Sequence, residues 1–228
     1  MKSFVSFFFT KIGSQIKQEA KDQSGQLDTE EIDDDRGLHH SFHFTECTMD
    51  DITQAVKSIK SNAAGVDGQN IKAFKAVAAN LLPVILYLVN LSVQKGVFPD
   101  ELKRAKVIPL HKRGDKRDIS NWRPKSILLL FSKIYKKVVY KKINEYLNSF
   151  GFLSDSQFGF RKGHSTIHAV HHLLDCVNRA LENNLISLTI FIDLKKAFDT
   201  VDFEVLLKRL RNHGIKRYNI KLVSVLSV

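Results

Sequence analysis

The residues best suited to chemistry lie late in the chain, in Ile190-Phe191-Ile192-Asp193-Leu194-Lys195-Lys196-Ala197-Phe198-Asp199-Thr200-Val201-Asp202. The β-branched apolar run Ile186–Ile192 has the length of a buried strand, and it ends abruptly in Asp193. A carboxylate held at the end of a strand is a natural ligand for Mg²⁺, which prefers hard oxygens and shares its shell with phosphates. Two such ions can stabilise both oxygens of an in-line phosphoryl displacement. The competing reading is structural: Asp193 caps the turn after a strand, and Asp199 or Asp202 caps the helix that follows.

Charge points the same way. The whole chain carries +11, and the stretch from Lys95 to Lys142 alone holds 15 Lys/Arg against 4 Asp/Glu, so the rest of the chain is balanced. Cations gathered in one segment are the footprint of a polyanionic partner; the alternative is an ordinary charged surface. His164, His168, His171 and His172 fall at helical spacing, and imidazoles four residues apart can share a zinc ion. The neighbouring positions lack a matching carboxylate, which favours a polar or template-facing helix. Neither a Gly-x-Ser-x-Gly elbow nor a phosphate-binding glycine loop occurs, so hydrolase and NTPase readings have no support.

These groups need elements to hold them. Thr48 and Asp51 form a variant capping box ahead of Ile52, Val56 and Ile59, and Gly65-Val66-Asp67-Gly68 then breaks the helix. One helix is predicted from about Gln69 and another over Leu82–Gln94, closed by Lys95-Gly96. Arg104–Leu110 reads as a strand and His111–Asn121 as a charged loop around Gly114. A long amphipathic helix is predicted over Ser126–Asn148, a glycine-punctuated loop around Gly159–Gly163, and helices over Ser165–Glu182 and Asp202–Asn212. The class is α+β, rich in helix. Residues 1–41 read as an N-terminal extension with an acidic linker, since Asp28–Asp35 holds six acids in eight positions; the globular part is 42–228. Two cysteines make neither a disulfide framework nor a zinc pattern, which fits a reducing, intracellular setting, cytoplasm or nucleus. No window reaches the ~18 continuous apolar residues of a membrane span, so no membrane partner is expected.

Several motifs occur in a fixed order. They are Lys60-Ser61-Asn62 leading to Gly65–Gly68, Gly96-Val97-Phe98-Pro99-Asp100, Ala105-Lys106-Val107-Ile108-Pro109-Leu110, Asn121-Trp122-Arg123-Pro124, Ser154-Asp155-Ser156-Gln157-Phe158-Gly159-Phe160-Arg161-Lys162-Gly163, and the Asp193 block. Phe7-Phe8-Phe9-Thr10-Lys11-Ile12-Gly13-Ser14 precedes them. Together they resemble the reverse transcriptases of non-LTR (LINE-like, jockey-type) retrotransposons, over about Phe42–Gly214. The resemblance implies the helix-rich fingers and partial palm of a right-hand polymerase, with an incomplete palm sheet. It also implies RNA-directed DNA polymerase chemistry with Mg²⁺, on an RNA template and a DNA primer with deoxynucleotide triphosphates.

The resemblance carries roles to individual residues. Asp193 becomes a metal ligand, with the Leu194 carbonyl on the same ion. Phe198 becomes the steric gate under the sugar, where an aromatic edge leaves no room for a 2′-hydroxyl; the alternative is a core aromatic. Arg123 grips the triphosphate with its fork, and Lys112, or Arg113 if the loop shifts, makes a second phosphate contact. Gln157 and Arg161 lie near the template. Trp122 packs beneath the loop, and Asp67 with Gly68 shapes a turn.

The chain departs from that pattern at two positions: Lys125 stands where an apolar residue is usual, and Leu102 where tryptophan is common. As given, it stops at Val228, ahead of the family's glycine-rich motif and its Tyr-x-Asp-Asp hairpin, and no adjacent Asp pair follows Asp193. The expectation is a fragment inactive alone, with an exposed edge on Ile186–Ile192. The alternative function is a non-catalytic RNA- or DNA-binding fragment using the basic 95–142 segment. A group II intron maturase or a related cellular polymerase shares the palm aspartate but fits the Phe98–Pro124 run less well.

Overall fold

A computed structural model describes residues 41–194 and 201–215. The extension read over 1–41 lies, Ser41 apart, outside the described residues. The described chain divides into two compact units, residues 41–143 with 201–215, and residues 144–194.

The first unit holds four α-helices, one of them in part, and a hairpin. Helix α1 (Met49–Ser58) starts with the expected capping box: the Asp51 amide donates to Thr48 Oγ1 at 3.2 Å and the Thr48 amide donates to Asp51 Oδ2 at 3.0 Å. Each bond satisfies an amide that the helix itself leaves unpaired. Ile52, Ala55 and Val56 turn inward. Gly65 follows at a close approach, since a Cβ there would sit 3.0 Å from the Leu128 carbonyl oxygen and 3.1 Å from Leu129 Cα. Glycine allows this close approach at the foot of the hairpin, where a side chain would press on the backbone.

Helix α2 (Ile71–Lys95) corrects the sequence reading, which split it in two. Pro83 lies inside it and forfeits the bond to the Ala79 carbonyl. The Ala- and Leu-rich turns on either side, and burial of Ile85, Val89 and Val93, carry the helix through that gap. The Asn70 side chain caps the start at 2.8 Å from the Ala73 amide, and Gly96 at φ 62° closes the end. Asn90 does a second job. Its amide side chain accepts from Cys47 N–H at 2.7 Å and donates to the Cys47 carbonyl at 3.1 Å, so it replaces a strand partner.

By length and composition α2 could cross a bilayer: its 25 residues include an 18-residue window of mean hydropathy 1.9, of which 22% is buried. Asn80, Pro83 and Asn90 interrupt any continuous apolar run, yet the average stays high.

Strands β1 (Ala105–His111) and β2 (Trp122–Leu128) pair antiparallel, with Ala105 opposite Leu128 and His111 opposite Trp122. The sequence reading found β1 but missed β2, placing the start of the next helix at Ser126. Helix α3 in fact runs Leu130–Ser149, and its turns from Asn144 on belong to the second unit. Ile134, Tyr135, Val138 and Val139 are almost wholly buried against α1 and α2 residues in one hydrophobic core. Phe98 meets Tyr135 edge-on at 4.9 Å between ring centroids. The carboxylate of Asp51 ties α1 to α3, with Lys141 Nζ at 2.8 Å and Lys142 Nζ at 3.6 Å. Helix α5 (Phe203–Asn212) returns to this unit, where the Phe42 amide donates to the Gly214 carbonyl at 2.9 Å.

The second unit holds the aromatic trio Tyr146, Phe150 and Phe152, a loop, and helix α4 (Thr166–Glu182), capped by Ser165. A buried strand over Ile186–Ile192 is not formed. The segment is extended, but Ile186 is 99% exposed and Ile192 81%, and no ladder pairs it among the described residues. The reason is physical: strand backbone groups need a neighbouring strand, and apolar sequence alone cannot supply one.

The observed class is therefore mixed, helix with a small two-stranded sheet.

Candidate nucleic-acid and nucleotide interface

The hairpin register decides where the first unit's cations stand. Lys106 pairs with Ile127, Ile108 with Lys125 and Leu110 with Arg123. The Lys112 amide then donates to the Asn121 carbonyl at 2.8 Å, which extends the ladder by one residue. Since strand side chains alternate between faces, Lys106, Lys112, Arg123 and Lys125 all stand on one face. All four are exposed. The opposite face carries Val107, Pro109, Trp122 and Pro124, each half-buried. One face of the hairpin thus carries the four cations interleaved with Ile108, Leu110 and buried Ile127, and the other carries no Lys or Arg. Lys112 and Arg123 were expected from the sequence. Lys106 was not, although a period of two along Lys106–Lys112 would have shown it once the strand was drawn.

The loop between the strands is built rather than loose. Gly114, at φ 83°, packs against Asn121, so close that a Cβ would lie 2.7 Å from Asn121 Nδ2. Asn121 Nδ2 donates to the Asp115 carbonyl at 3.0 Å, and Trp122 Nε1 donates to the Lys116 carbonyl at 2.9 Å. The His111 ring meets the Trp122 indole edge-on at 5.2 Å. Trp122 therefore does pack beneath the loop and pins it. Asp67 and Gly68 form the expected turn, with the Gln69 amide 3.2 Å from Asp67 Oδ1 and Gly68 at φ 70°.

In the second unit Gln157 and Arg161 share one loop. The Gln157 amide donates to the Ser154 carbonyl at 3.0 Å, and Arg161 Nη1 donates to the same oxygen at 2.6 Å. Phe160 projects from this loop at φ 60°, 83% exposed. His164, just ahead of helix α4, and His168 within it have ring centroids 6.4 Å apart, and within α4 His172 Nε2 lies 4.0 Å from Cys176 Sγ. Among the described residues no three His, Cys, Asp or Glu side chains gather as a metal cluster.

Asp193 and Leu194 lie exposed at the end of the extended segment. Phe198 and Asp199 lie outside the described residues. Asp202 takes the capping role weighed for it, accepting from the Glu204 amide at 2.8 Å and the Val205 amide at 3.2 Å.

Burial lowers the Lys136 ammonium from its ordinary value. Burial would raise Asp51, but the Lys141 ammonium, the Thr48 amide and the charge of Lys142 outweigh it and hold the carboxyl at about 2. Lys141 and Lys142 are thereby committed to Asp51 and Thr45 rather than offered to a ligand.

Comparison with known proteins gives the family. The family model for reverse transcriptase (RNA-dependent DNA polymerase) matches residues 110–226. The chain is similar to the "Probable RNA-directed DNA polymerase from transposon BS" of Drosophila melanogaster, 28% identical over 76% of this chain and 19% of that protein. It is also similar to the RNA-directed DNA polymerase from mobile element jockey of the same organism, 24% identical over 71% of this chain and 18% of that protein. A third relative is the "Probable RNA-directed DNA polymerase from transposon X-element", 26% identical over 69% of this chain and 17% of that protein. The chain spans about a fifth of the length of these curated relatives. A match over more than half of the sequence, from Leu110 near the end of the hairpin's first strand through the Asp193 block, makes the chain a member of the reverse transcriptase (RNA-dependent DNA polymerase) family.

Proposed function

We propose that this chain supplies nucleotide- and template-facing elements to RNA-directed DNA synthesis by a retrotransposon polymerase. The observation that carries the reading is the single cationic face of the hairpin, formed by Lys106, Lys112, Arg123 and Lys125 inside or beside the matched region. Arg123 presents a planar fork suited to two phosphate oxygens, and Lys112 adds a point charge beside it. The folding of the loop relies on Asn121 and Trp122.

The remaining roles rest on the family resemblance. Asp193 and the Leu194 carbonyl are hard oxygen donors of the kind Mg²⁺ takes, exposed at the end of one extended segment. When bound, such an ion supplies charge neutralisation at the reacting phosphate. Asp193 would hold it, Phe198 would exclude a 2′-hydroxyl, and Gln157 with Arg161 would face the template. Arg161 is already tethered to Ser154, so its loop is preshaped rather than ordered on binding.

A second reading, nucleic-acid binding without chemistry, is favoured by the same cationic face. A polypeptide of these 228 residues carries Asp193 but no adjacent Asp pair after it, so binding is the readout to use with it. Anisotropy titration of an RNA–DNA hybrid should show strong salt dependence. Lys112→Ala with Arg123→Ala should lower the slope of log K against log salt by about 1.5, while Lys57→Ala, on exposed α1 surface, should not. An unchanged slope in the double variant would sink the proposal. Polymerase chemistry is tested separately, by primer extension in a longer polypeptide carrying further metal carboxylates. There Asp193→Asn should abolish extension and leave hybrid binding intact; surviving extension would remove Asp193 from the reaction and leave the binding reading standing.

A further inference from the structure

The first unit contains a cavity of about 440 Å³ that nothing above uses. Its walls are Leu88 and Leu91 from α2, Val97 and Leu102 from the connection to β1, and Phe131 and Tyr135 from α3. Tyr135 is 1% exposed and Val97 58%, so the space runs from the buried core to an open mouth. Its volume lies within the range of pockets that take small organic ligands, roughly 300–1,000 Å³.

The chemistry of the lining selects the ligand. The polar group beside the deep end is Ser92, and its hydroxyl is already engaged, donating to the Val97 carbonyl and lying 3.0 Å from the Tyr135 hydroxyl. The cavity therefore presents carbon. At the mouth stand Lys95 and Glu101, of opposite sign, so the entrance favours neither anion nor cation. A charged group pushed inward would lose its hydration and gain no partner. Water at such a lining finds few hydrogen-bond partners, so an aromatic ligand that displaces it gains by burial of apolar surface.

We propose that this cavity is a binding site for a small, uncharged, mainly aromatic molecule of about two rings. The site belongs to the first unit alone and is independent of the polymerase reading. Its occupant bridges α2, α3 and the Val97–Leu102 connection. The connection is already fixed to α3 where buried Ser132 donates to the Leu102 carbonyl at 2.6 Å and where Phe98 packs on Tyr135. A ligand would add packing on the Leu102 side chain and should raise the thermal midpoint of the whole chain.

The test uses the full chain and the neutral fluorescent probe N-phenyl-1-naphthylamine. Fluorescence should rise to saturation at one probe per chain, and indole should displace it. Leu102→Trp places an indole in the space; it should weaken probe binding about tenfold or more and raise the melting temperature. Should that variant fold poorly, Val97→Glu, at an exposed wall position, should cause a similar loss by placing a carboxylate beside the ligand. Ile190→Ser removes exposed apolar surface elsewhere and should leave binding unchanged. Non-saturating fluorescence, a Leu102→Trp chain that folds and binds normally, or an equal loss in Ile190→Ser would each overturn the proposal.

Discussion

Arg123 stands opposite Leu110 in the β1–β2 ladder, and that single pairing sets it diagonal to Lys112 on the exposed side of the hairpin. A slip of one residue would send Arg123 to the face now held by Trp122 and Pro124. The register is secured from both ends: at the loop by Asn121 and Trp122, and at the foot by Gly65 beneath Leu128.

Lys125 shares that face, two residues from Arg123 and opposite Ile108. It is exposed, so the charge sits on the cationic surface and not in the core. Lys125→Ala should therefore weaken hybrid binding a few-fold and reduce the salt slope by about 0.8, with little change in melting temperature. Arg123→Lys asks a different question, since it keeps charge and loses the fork. It should preserve the salt slope for hybrid binding but weaken deoxynucleotide triphosphate binding about tenfold. Equal retention of both by calorimetry would mean that Arg123 acts as a charge only.

Trp122 anchors the loop by one side-chain bond to the Lys116 carbonyl and one ring contact with His111. Trp122→Phe keeps the apolar body and deletes the donor, leaving the carbonyl to water. Loss of about 1 kcal/mol of local stability should raise tryptic cutting at Arg113, Lys116 and Arg117 about fivefold under native conditions. Cleavage at wild-type rate would show that the loop does not depend on this bond.

The elements legible in the sequence are those whose signals are local. The Thr48–Asp51 box and the Gly96 stop each lie within three residues of a bond they make, and both were found where expected. Strand β2 was not legible. Its central Pro124 and polar Lys125-Ser126 read against a strand, and what holds it is β1, whose paired residues lie 11 to 23 positions earlier. The cationic face depends on that same pairing, so its residues could be suspected singly but not assembled. Ile186–Ile192 failed in the opposite sense: its composition is that of a buried strand, yet composition does not provide a ladder. Leu102, noted only as a departure, proves to line a cavity.

Ser132 offers a test of how the connection before β1 is held. It is wholly buried, and its hydroxyl donates to the Leu102 carbonyl. Ser132→Ala removes the donor and strands a carbonyl in an apolar setting, which should cost about 1–3 kcal/mol in urea unfolding. A near-neutral result would mean that the Leu102 carbonyl finds another donor.

The Asp51 clamp gives the fold a defined acid limit. Its carboxyl is held at about 2 against an ordinary 3.8, with burial opposed and overcome by Lys141, the Thr48 amide and Lys142. A group whose folded pKa is depressed contributes stability that is fully present above the unfolded value and lost as pH falls through the folded one. The contribution should thus be intact at pH 5, decline between about 3.8 and 2, and be gone below. Screening trims it to about 1–2 kcal/mol, because Lys141 is one-third exposed although the Asp51 side chain is only 13% exposed. Asp51→Asn keeps the side chain's shape and its oxygen acceptor for the Thr48 amide, but deletes the charge. The wild-type and variant curves of unfolding free energy against pH should lie apart at pH 5 and converge towards pH 2. Parallel curves across that window would show that the clamp owes its strength to hydrogen bonding and packing and not to the ion pair.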